Sequence, residues 1–276
     1  MPLHCGKFQL DLSHPLVMGI VNVTPDSFSD GGHHSTTQSV IAHALQLVED
    51  GADILDIGGE STRPGAAPVS EQEELDRVLP VIEGLRGLAV PISIDSYKPS
   101  VMRAAILAGA SMVNDVSALQ EAGALQEVAQ SDVAVCLMHK QGTPVNMQCR
   151  PAYQDVLGEV AAFLRERIAA CGSAGINRER IVIDPGFGFG KTVEHNLDLL
   201  RHLDQLQELG VPILAGLSRK SMLGTITGRG VGERKAASLA VALLAMQRGA
   251  AIVRVHDVRE TVDVLKIWNA VNGEIT

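Results

Sequence analysis

Polar residues that could bind a ligand or take part in catalysis lie at or just after eight short apolar runs of this chain. They are Asn22, Asp56, Asp95, Asn114, Asp115, His139, Asp184, Ser218, Arg219, Lys220, Arg254, His256 and Asp257. A single aspartate after a strand is often only the N-cap of the next helix. Eight polar strand ends that converge on one place would be unusual as helix caps alone, so they predict a binding site.

Two carboxylates and an amide of this set suggest a ligand rich in N–H donors. Asp95, Asn114 and Asp184 follow three different apolar runs, and carboxylates that face an interior are costly unless they are paired or hydrogen-bonded. An aminopyrimidinone ring, as in guanine or a pterin, presents an exocyclic amine beside ring N–H groups and would satisfy them. Lys220, within the segment LSRKS, can pair with a carboxylate or donate to the ring.

The last apolar run carries a candidate phosphate site. Arg254 and His256 are two residues apart, so both side chains of a strand can face the same way, and an arginine with a histidine is suited to bind phosphate. Asp56 and Asp115 are interpreted as structural residues. For His139, a hydrogen bond within a loop and a ligand contact remain equal alternatives.

The apolar runs alternate with stretches of helical periodicity along the whole chain. We predict strands at Leu16–Val21, Asp53–Ile57, Pro91–Ile94, Met112–Val116, Val133–Met138, Ile181–Asp184, Pro212–Gly216 and Ala251–Val255. Helical periodicity is clear at Ile41, Leu45 and Val48, and again at Val160, Phe163, Leu164 and Ile168. Eight strand–helix units predict an α/β fold, a single (β/α)₈ barrel domain over residues 1–276, with its site at the C-terminal strand ends. A doubly wound sheet would need a glycine fingerprint after the first strand, which is absent.

Two connecting segments are longer than the usual ~2–6 residues. They are Asn22–Thr37 and Gly58–Ser70, both with proline, glycine and small hydroxyl residues, which is typical of loops that become ordered over a substrate. They could bring Asp26, Phe28, Thr62 and Arg63 to the site.

Two further motifs are not interpreted as binding sites in their own right. The segment Asp184–Thr192 ends like a phosphate-binding loop, but Pro185 occupies the position of its first glycine. Its evenly spaced glycines are expected to let the backbone and Phe189 approach a ligand closely. The pair His33–His34 has no further metal ligands nearby in sequence, so we interpret it as loop.

Composition limits the possible partners. The 276 residues are 46% hydrophobic and carry a net charge of −9, which argues against global attraction to nucleic acid or anionic membranes. No run of about 18 apolar residues is present. The four cysteines are scattered, and the N-terminus lacks a basic region followed by an apolar run, so we expect a cytoplasmic protein.

Motifs in all eight units together resemble the dihydropteroate synthase family. The matching segments, in chain order, are MGIVNVTPDSFSDGG, ILDIGGESTRPGA, ISIDSYKP, MVNDVSA, LMHKQGTPVNMQ, VIDPGFGFGKT, LSRKSMLG and VRVHDV. The resemblance covers roughly residues 14–270 and implies a (β/α)₈ barrel that is a homodimer. It implies the condensation of 6-hydroxymethyl-7,8-dihydropterin diphosphate with 4-aminobenzoate to give 7,8-dihydropteroate and diphosphate.

The resemblance also implies roles for individual residues. The pterin would be held by Asp95, Asn114, Asp184 and Lys220, with Met138 and Phe189 on its ring. The diphosphate would be bound by Asn22, Arg63, Arg254 and His256, with Mg²⁺ as a cofactor bound through Asn22. The arylamine would lie among Phe28, Thr62, Arg63, Pro64, Phe189, Ser218 and Lys220. The residues expected to support catalysis directly are Arg63, Asp95, Asp184, Lys220, Arg254 and His256.

Two other functions remain open. Pterin-binding barrels also transfer methyl groups from folates to corrinoid proteins, but they need neither a diphosphate site nor long first and second loops. A catalytically silent pterin-binding paralogue would be indicated by loss of Arg63, Lys220 or the Arg254–His256 pair, all of which are present.

Overall fold

The computed structural model of this protein describes residues 2–23, 33–61, 67–142, 147 and 151–273, without the side chains of residues 33–36. Its strands are β1 (Leu3–Cys5), β2 (Phe8–Leu10), β3 (Leu16–Asn22), β4 (Ile54–Gly58), β5 (Ile92–Asp95), β6 (Met112–Asp115), β7 (Ala134–Met138), β8 (Ile181–Asp184), β9 (Ile213–Ala215) and β10 (Ala250–Val255). Its helices are α1 (His33–Glu49), α2 (Glu71–Leu85), α3 (Pro99–Ala108), α4 (Ala124–Ala129), α5 (Val156–Ser173), α6 (Val193–Arg201), α7 (Ser221–Thr227), α8 (Lys235–Gln247) and α9 (Val258–Val271).

Strands β3 to β10 form one closed parallel barrel. Each strand pairs with its neighbour in chain order, and β10 pairs with β3 to close the cylinder. The predicted (β/α)₈ barrel is confirmed, and each of the eight predicted strands differs from the observed one by at most one residue at either end. Because all eight strands are parallel, their C-terminal ends meet at one mouth.

Side chains alternate between the two faces of each strand, so the barrel has two hydrophobic cores. One core fills the barrel and includes Met18, Ile54, Met112 and Val182, which are completely buried. On the same face of β4, β6 and β8, two residues further along, lie Asp56, Asn114 and Asp184 at the mouth, as the period of two in a strand requires. The apolar filling therefore supports the polar site from below.

A short N-terminal hairpin, β1 and β2, closes the opposite end of the barrel. It was not predicted from the sequence, since each strand has only three residues. Leu3 and Cys5 are completely buried and join the core inside the barrel, and Gly6 N–H donates to the Asp132 carbonyl. The hairpin shields the barrel filling from water at the end remote from the polar mouth.

The second core lies between the strands and the surrounding helices. In α5 the predicted apolar face is confirmed, with Val160, Leu164 and Ile168 buried. In α1 the prediction was shifted by one residue: Val40, Ala44 and Leu47 are buried, whereas Leu45 is exposed. No helix in the described part of the chain is long and apolar enough to cross a membrane.

Candidate functional site

The predicted strand-end residues are neighbours in the register of the barrel. Asn22 pairs with Gly58, Gly58 with Asp95, and Asp95 with Asn114. On the next pair of strands, the buried Met138 lies opposite Asp184. The side chains that the sequence predicted for one site therefore project from adjacent positions around one mouth.

Arg254 is held by two carboxylates from two other strands. Its Nε donates to Asp56 Oδ2 at 2.6 Å and its Nη2 donates to Asp95 Oδ2 at 2.7 Å. Burial opposes the charged form of this guanidinium, but Asp56 and Asp95 outweigh it and raise the pKa of Arg254. Burial raises the pKa of Asp95 to about 7 against the opposing effect of Arg254. Arg254 thus remains a cation that fixes two acidic side chains.

Asp56 also connects Arg254 to Asn114, whose amide was predicted to bind the pterin. Its Oδ2 also accepts a hydrogen bond from Asn114 Nδ2 at 3.0 Å, and the residue is completely buried. The sequence favoured a purely structural role for Asp56, yet the structure places it among the site residues. We call Asp56, Asp95, Asn114 and Arg254 the strand-end cluster. By contrast, Asp115 accepts from the backbone N–H groups of Ser117 and Leu119, as a structural residue does.

Asp184 and Lys220 are oppositely charged residues beside the cluster, and the charge of each affects the pKa of the other. Asp184 Oδ1 accepts from Gly186 N–H at 2.7 Å. Burial raises the pKa of Asp184, while that hydrogen bond and the charge of Lys220 oppose the rise. Burial lowers the pKa of Lys220 to about 8, and its Nζ lies 4.1 Å from the centroid of the Phe189 ring. An ammonium over an aromatic face gains cation–π attraction, so Lys220 and Phe189 hold each other in place.

Ser218 and His256 interact across the ends of β9 and β10. Ser218 Oγ lies 3.0 Å from His256 Nδ1 and also accepts from His256 N–H at 3.2 Å. With the serine proton directed to Nδ1, the ring hydrogen is assigned to Nε2. The neighbouring Arg219 pairs with Asp257 at 2.6 Å. The Ser218 hydroxyl, predicted at the arylamine, is therefore engaged with the predicted diphosphate ligand His256.

Lys191 was not predicted as a site residue, although it holds the loop that carries Phe189. Its Nζ is 3.0 Å from His139 Nδ1 and donates to the carbonyls of Gly186 at 3.0 Å and Phe189 at 3.1 Å. Burial lowers the pKa of Lys191 to about 7 and that of His139 to about 3. His139 therefore accepts as a neutral ring, which favours the loop hydrogen bond over the ligand contact.

The glycines of the same loop serve loop packing. Gly186 and Gly190 both have positive φ, and a Cβ on either would overlap the backbone carbonyl of His139 or Gln141. The sequence attributed these glycines to close approach of a ligand. The described geometry instead requires them where this loop packs against the loop after β7.

Lys98 is a second anchor that the sequence reasoning missed. Its Nζ donates to Glu60 Oε2 at 2.5 Å, to Glu74 Oε2 at 2.6 Å and to the Val69 carbonyl at 2.6 Å. Glu60 and Val69 lie on either side of the segment with Thr62, Arg63 and Pro64. The only signal in the sequence was a lysine just before the proline that starts α3. We call Lys98 and Lys191 the loop anchors.

Some predicted residues lie outside the described residues: Asp26, Phe28, Thr62, Arg63 and Pro64. Asn22 is described, is exposed, and ends β3 at the mouth. Among the described residues no group of three or more His, Cys, Asp or Glu side chains could hold a metal ion.

Known proteins identify the family. The model of the pterin-binding enzyme family matches residues 18–256. A dihydropteroate synthase of Neisseria meningitidis serogroup C is 54% identical over 270 residues, which cover 96% of this chain and 95% of that protein. The chain belongs to the dihydropteroate synthase family. Enzymes of this family are transferases in folate biosynthesis, so the sequence-based predictions of family, fold and enzyme class are confirmed.

Solved structures of this family have the same fold as this chain, and their ligands are compounds that the resemblance implied. The dihydropteroate synthase of Xanthomonas albilineans with 4-aminobenzoic acid superposes with a TM-score of 0.93 at 57% identity, covering 98% of both chains. The same enzyme with 7,8-dihydropteroate superposes with a TM-score of 0.90 at 54% identity, covering 99% of both chains. These similarities concern the whole chain and assign no role to an individual residue.

Proposed function

We propose that this protein condenses 6-hydroxymethyl-7,8-dihydropterin diphosphate with 4-aminobenzoate, with the strand-end residues in the roles that the sequence predicted. The observation that carries the proposal is the joining of Asp95, Asn114 and Arg254 around one mouth in a chain of the dihydropteroate synthase family. Carboxylate and amide acceptors beside a cation suit a ring that carries N–H donors and a diphosphate group.

The pterin end would be read by acceptors on three strands. Asp95, Asn114 and Asp184 would accept from the exocyclic amine and ring N–H groups, and Lys220 would donate to the ring. Phe189 and Met138 would pack on its faces. Donors on a ligand favour the ionised carboxylate, so a bound pterin would lower the pKa of Asp95 from about 7.

The diphosphate end would be bound by donors beside the ring. Two groups of Arg254 are engaged with carboxylates, but its Nη1 makes no hydrogen bond within the described residues and would donate to a diphosphate oxygen. His256 Nε2–H and Arg63, which lies outside the described residues, would donate as well. Asn22 fits Mg²⁺ that retains water and substrate phosphate ligands, because such ions need few protein ligands. The ion would neutralise charge on the leaving diphosphate.

The chemistry requires electrostatic stabilisation more than proton removal. An arylamine is neutral at pH 7, so its lone pair is free to attack without a strong general base. As the C–O bond to diphosphate breaks, positive charge develops on the pterin methylene and negative charge on the leaving oxygen. Asp95 and Asp184 would stabilise the former, and Arg254 and His256 the latter.

A turnover assay with both substrates tests the proposal. We expect diphosphate and 7,8-dihydropteroate to form in equal amounts, with a loss of rate when Mg²⁺ is chelated. Asp184→Asn is expected to weaken pterin binding by roughly 2–5 kcal/mol, as for a buried charged hydrogen bond. Asp198→Asn, on the exposed part of α6, is the matched control. Pterin binding without any diphosphate release would favour the silent paralogue, and transfer of a folate methyl group would favour the methyltransferase.

Further features of the enzyme remain predictions. We propose that the arylamine binds among Phe28, Thr62, Pro64, Phe189, Ser218 and Lys220. We also propose that residues 1–276 form one domain and that the enzyme is a cytoplasmic homodimer. Analytical ultracentrifugation of the purified chain tests the homodimer, which a single monomeric species at assay concentration would exclude.

A further inference from the structure

Asp56 is the buried acid on which both halves of the proposed pterin site depend. It is completely buried on β4, so it cannot itself touch a ligand at the mouth. Its Oδ2 receives Arg254 Nε at 2.6 Å and Asn114 Nδ2 at 3.0 Å. One oxygen atom therefore fixes an arginine from β10 and an amide from β6.

We propose that Asp56 is a positioning residue that sets which face Asn114 and Arg254 present to the pterin substrate. An ionised carboxylate only accepts hydrogen bonds. The amide nitrogen of Asn114 must therefore point at Asp56, which leaves the Asn114 carbonyl oxygen as the acceptor for a ring N–H. This assignment follows from the chemistry of the partner and not from atom placement alone.

The same acid determines the orientation of Arg254. Asp56 takes Nε and Asp95 takes Nη2, so the guanidinium plane is defined by bonds to two strands. A planar group held at two of its donors presents the remaining Nη1 in one direction. Asp56 thus couples the acceptor for the ring to the donor for the diphosphate.

Charge balance supports a positioning role over simple neutralisation. Asp95 already pairs with Arg254 through Nη2. Asp56 adds a second carboxylate, and its Oδ1 has no hydrogen-bond partner among the described residues. A second buried acid costs stability without a second cation, so its retention is better explained by the geometry that it imposes. The inference rests on the proposed function, because it assigns Asn114 and Arg254 to the pterin substrate.

The test uses Asp56→Ala, which removes the shared acceptor Oδ2 and leaves Arg254 paired with Asp95. Without that acceptor the Asn114 amide nitrogen is no longer held towards β4, and Arg254 loses the bond that fixes its Nε. We expect binding of 6-hydroxymethylpterin and of the dihydropterin diphosphate, measured by calorimetry, to weaken by roughly tenfold or more. The KM for 4-aminobenzoate at saturating pterin substrate should stay unchanged.

Asp115→Ala is the matched control, since Asp115 on β6 is equally buried, and within the described part of the chain its carboxylate accepts only from backbone N–H groups. It should lower the melting temperature and leave pterin affinity unchanged. In the Asn114→Ala background, Asp56→Ala should add little further loss for 6-hydroxymethylpterin, because the group it positions is gone. If Asp56→Ala does not fold, Asp56→Ser takes its place.

Unchanged pterin affinity in a folded Asp56 variant would overturn the inference, as would full additivity with Asn114→Ala. Failure of the wild-type enzyme to bind 6-hydroxymethylpterin would instead overturn the proposed function. The two failures are therefore distinguishable in one set of titrations.

Discussion

In the strand-end cluster, four side chains from four strands bond to one another. Each loop anchor instead connects separate segments of the chain and bonds to backbone carbonyls and to side chains of those segments. Arg254 bonds to Asp56 and Asp95, and Asp56 also bonds to Asn114, all at the barrel mouth. Lys98 and Lys191 donate to carbonyl groups and acids of the surrounding loops. The barrel thus positions side chains on strands directly, and loops by means of buried ammonium groups.

The difference has a physical origin. A strand in a closed barrel has a fixed register, so neighbouring side chains are pre-positioned at no further cost in chain entropy. A loop must lose backbone entropy of about 1–2 kcal/mol per ordered residue, and a lysine with three donors can tie several loop groups at once. Loss of an anchor should therefore disturb stability first, whereas changes in the strand-end cluster should disturb ligand recognition first.

The largest expected effect is that of Lys98→Met. The change leaves Glu60 and Glu74 without their cation, and the Glu74 side chain is 1% exposed. Removal of one partner from a buried ion pair costs about 3–5 kcal/mol, and urea unfolding measures the loss. Arg103→Met, at the exposed Arg103–Glu127 pair, is the control and should change stability little. Equal and small effects of both variants would show that Lys98 is not an anchor.

Asp95 in the strand-end cluster differs from the loop anchor Lys98, because ionisation of the Asp95 side chain opposes folding. Its pKa is raised to about 7 by burial, above the value near 3.9 of an unfolded chain. The folded state then binds more protons between about pH 4 and 7, so its contribution to stability is full below pH 4 and is lost as the pH rises to 7. At about 1.4 kcal/mol per pH unit, the loss reaches about 4 kcal/mol.

Melting curves of the unliganded enzyme at several pH values test this contribution. Asp95→Asn should remove that part of the decline between pH 4 and 7, while the Asp198→Asn control on α6 should retain it. Identical pH profiles of wild-type and Asp95→Asn proteins would show that Asp95 is ionised throughout this range. The strand-end cluster would then be held together by fully charged groups.

Strand-end residues were predictable from the sequence, and loop anchors were not. Side chains alternate between the two faces of a strand, so the apolar runs predict which residues face inward. This alternation placed four residues on the inward face: Asp95, Asn114, Asp184 and Arg254. Asp56 lies on the same face, but its sequence context is also that of a structural acid, so only the contacts with Arg254 and Asn114 reveal its place. Lys98 and Lys191 bond to groups between 2 and 52 residues away, including carbonyls, which carry no sequence signal.

Lys191→Met should destabilise the protein by about 1–3 kcal/mol, because buried acceptors lose their donor. It should also raise the KM for the dihydropterin diphosphate, since the Phe189 carbonyl is no longer held. The pKa of Lys191 is lowered to about 7, so the folded state binds fewer protons than the unfolded chain above that value. Wild-type stability should gain from this group as the pH rises from about 7 to 10, and the variant should lack the gain.

The control for this anchor is Lys140→Met. Lys140 lies on the neighbouring loop, and the single side-chain hydrogen bond that it makes within the described ranges is to the Ser117 hydroxyl at 2.7 Å. Urea unfolding should show a smaller loss for Lys140→Met than for Lys191→Met, with no change in the KM for the dihydropterin diphosphate. The anchor role of Lys191 would be refuted by a Lys191→Met enzyme that has wild-type stability and KM.

Ser218→Ala should give the smallest effect and the sharpest distinction between substrate sites. The resemblance implies that Ser218 contacts the arylamine, whereas its hydroxyl in this structure bonds to both the ring and the backbone of His256. Loss of the hydroxyl should cost about 0.5–1.5 kcal/mol of stability and remove the hydrogen bond to the imidazole Nδ1. Because His256 is proposed to bind diphosphate, we expect a severalfold rise in the KM for the dihydropterin diphosphate and no change in the KM for 4-aminobenzoate. Ser218→Thr keeps the hydroxyl and should restore the first value. A rise confined to the KM for 4-aminobenzoate would assign Ser218 to the arylamine instead. The boundary between the two substrates would then lie between Ser218 and His256.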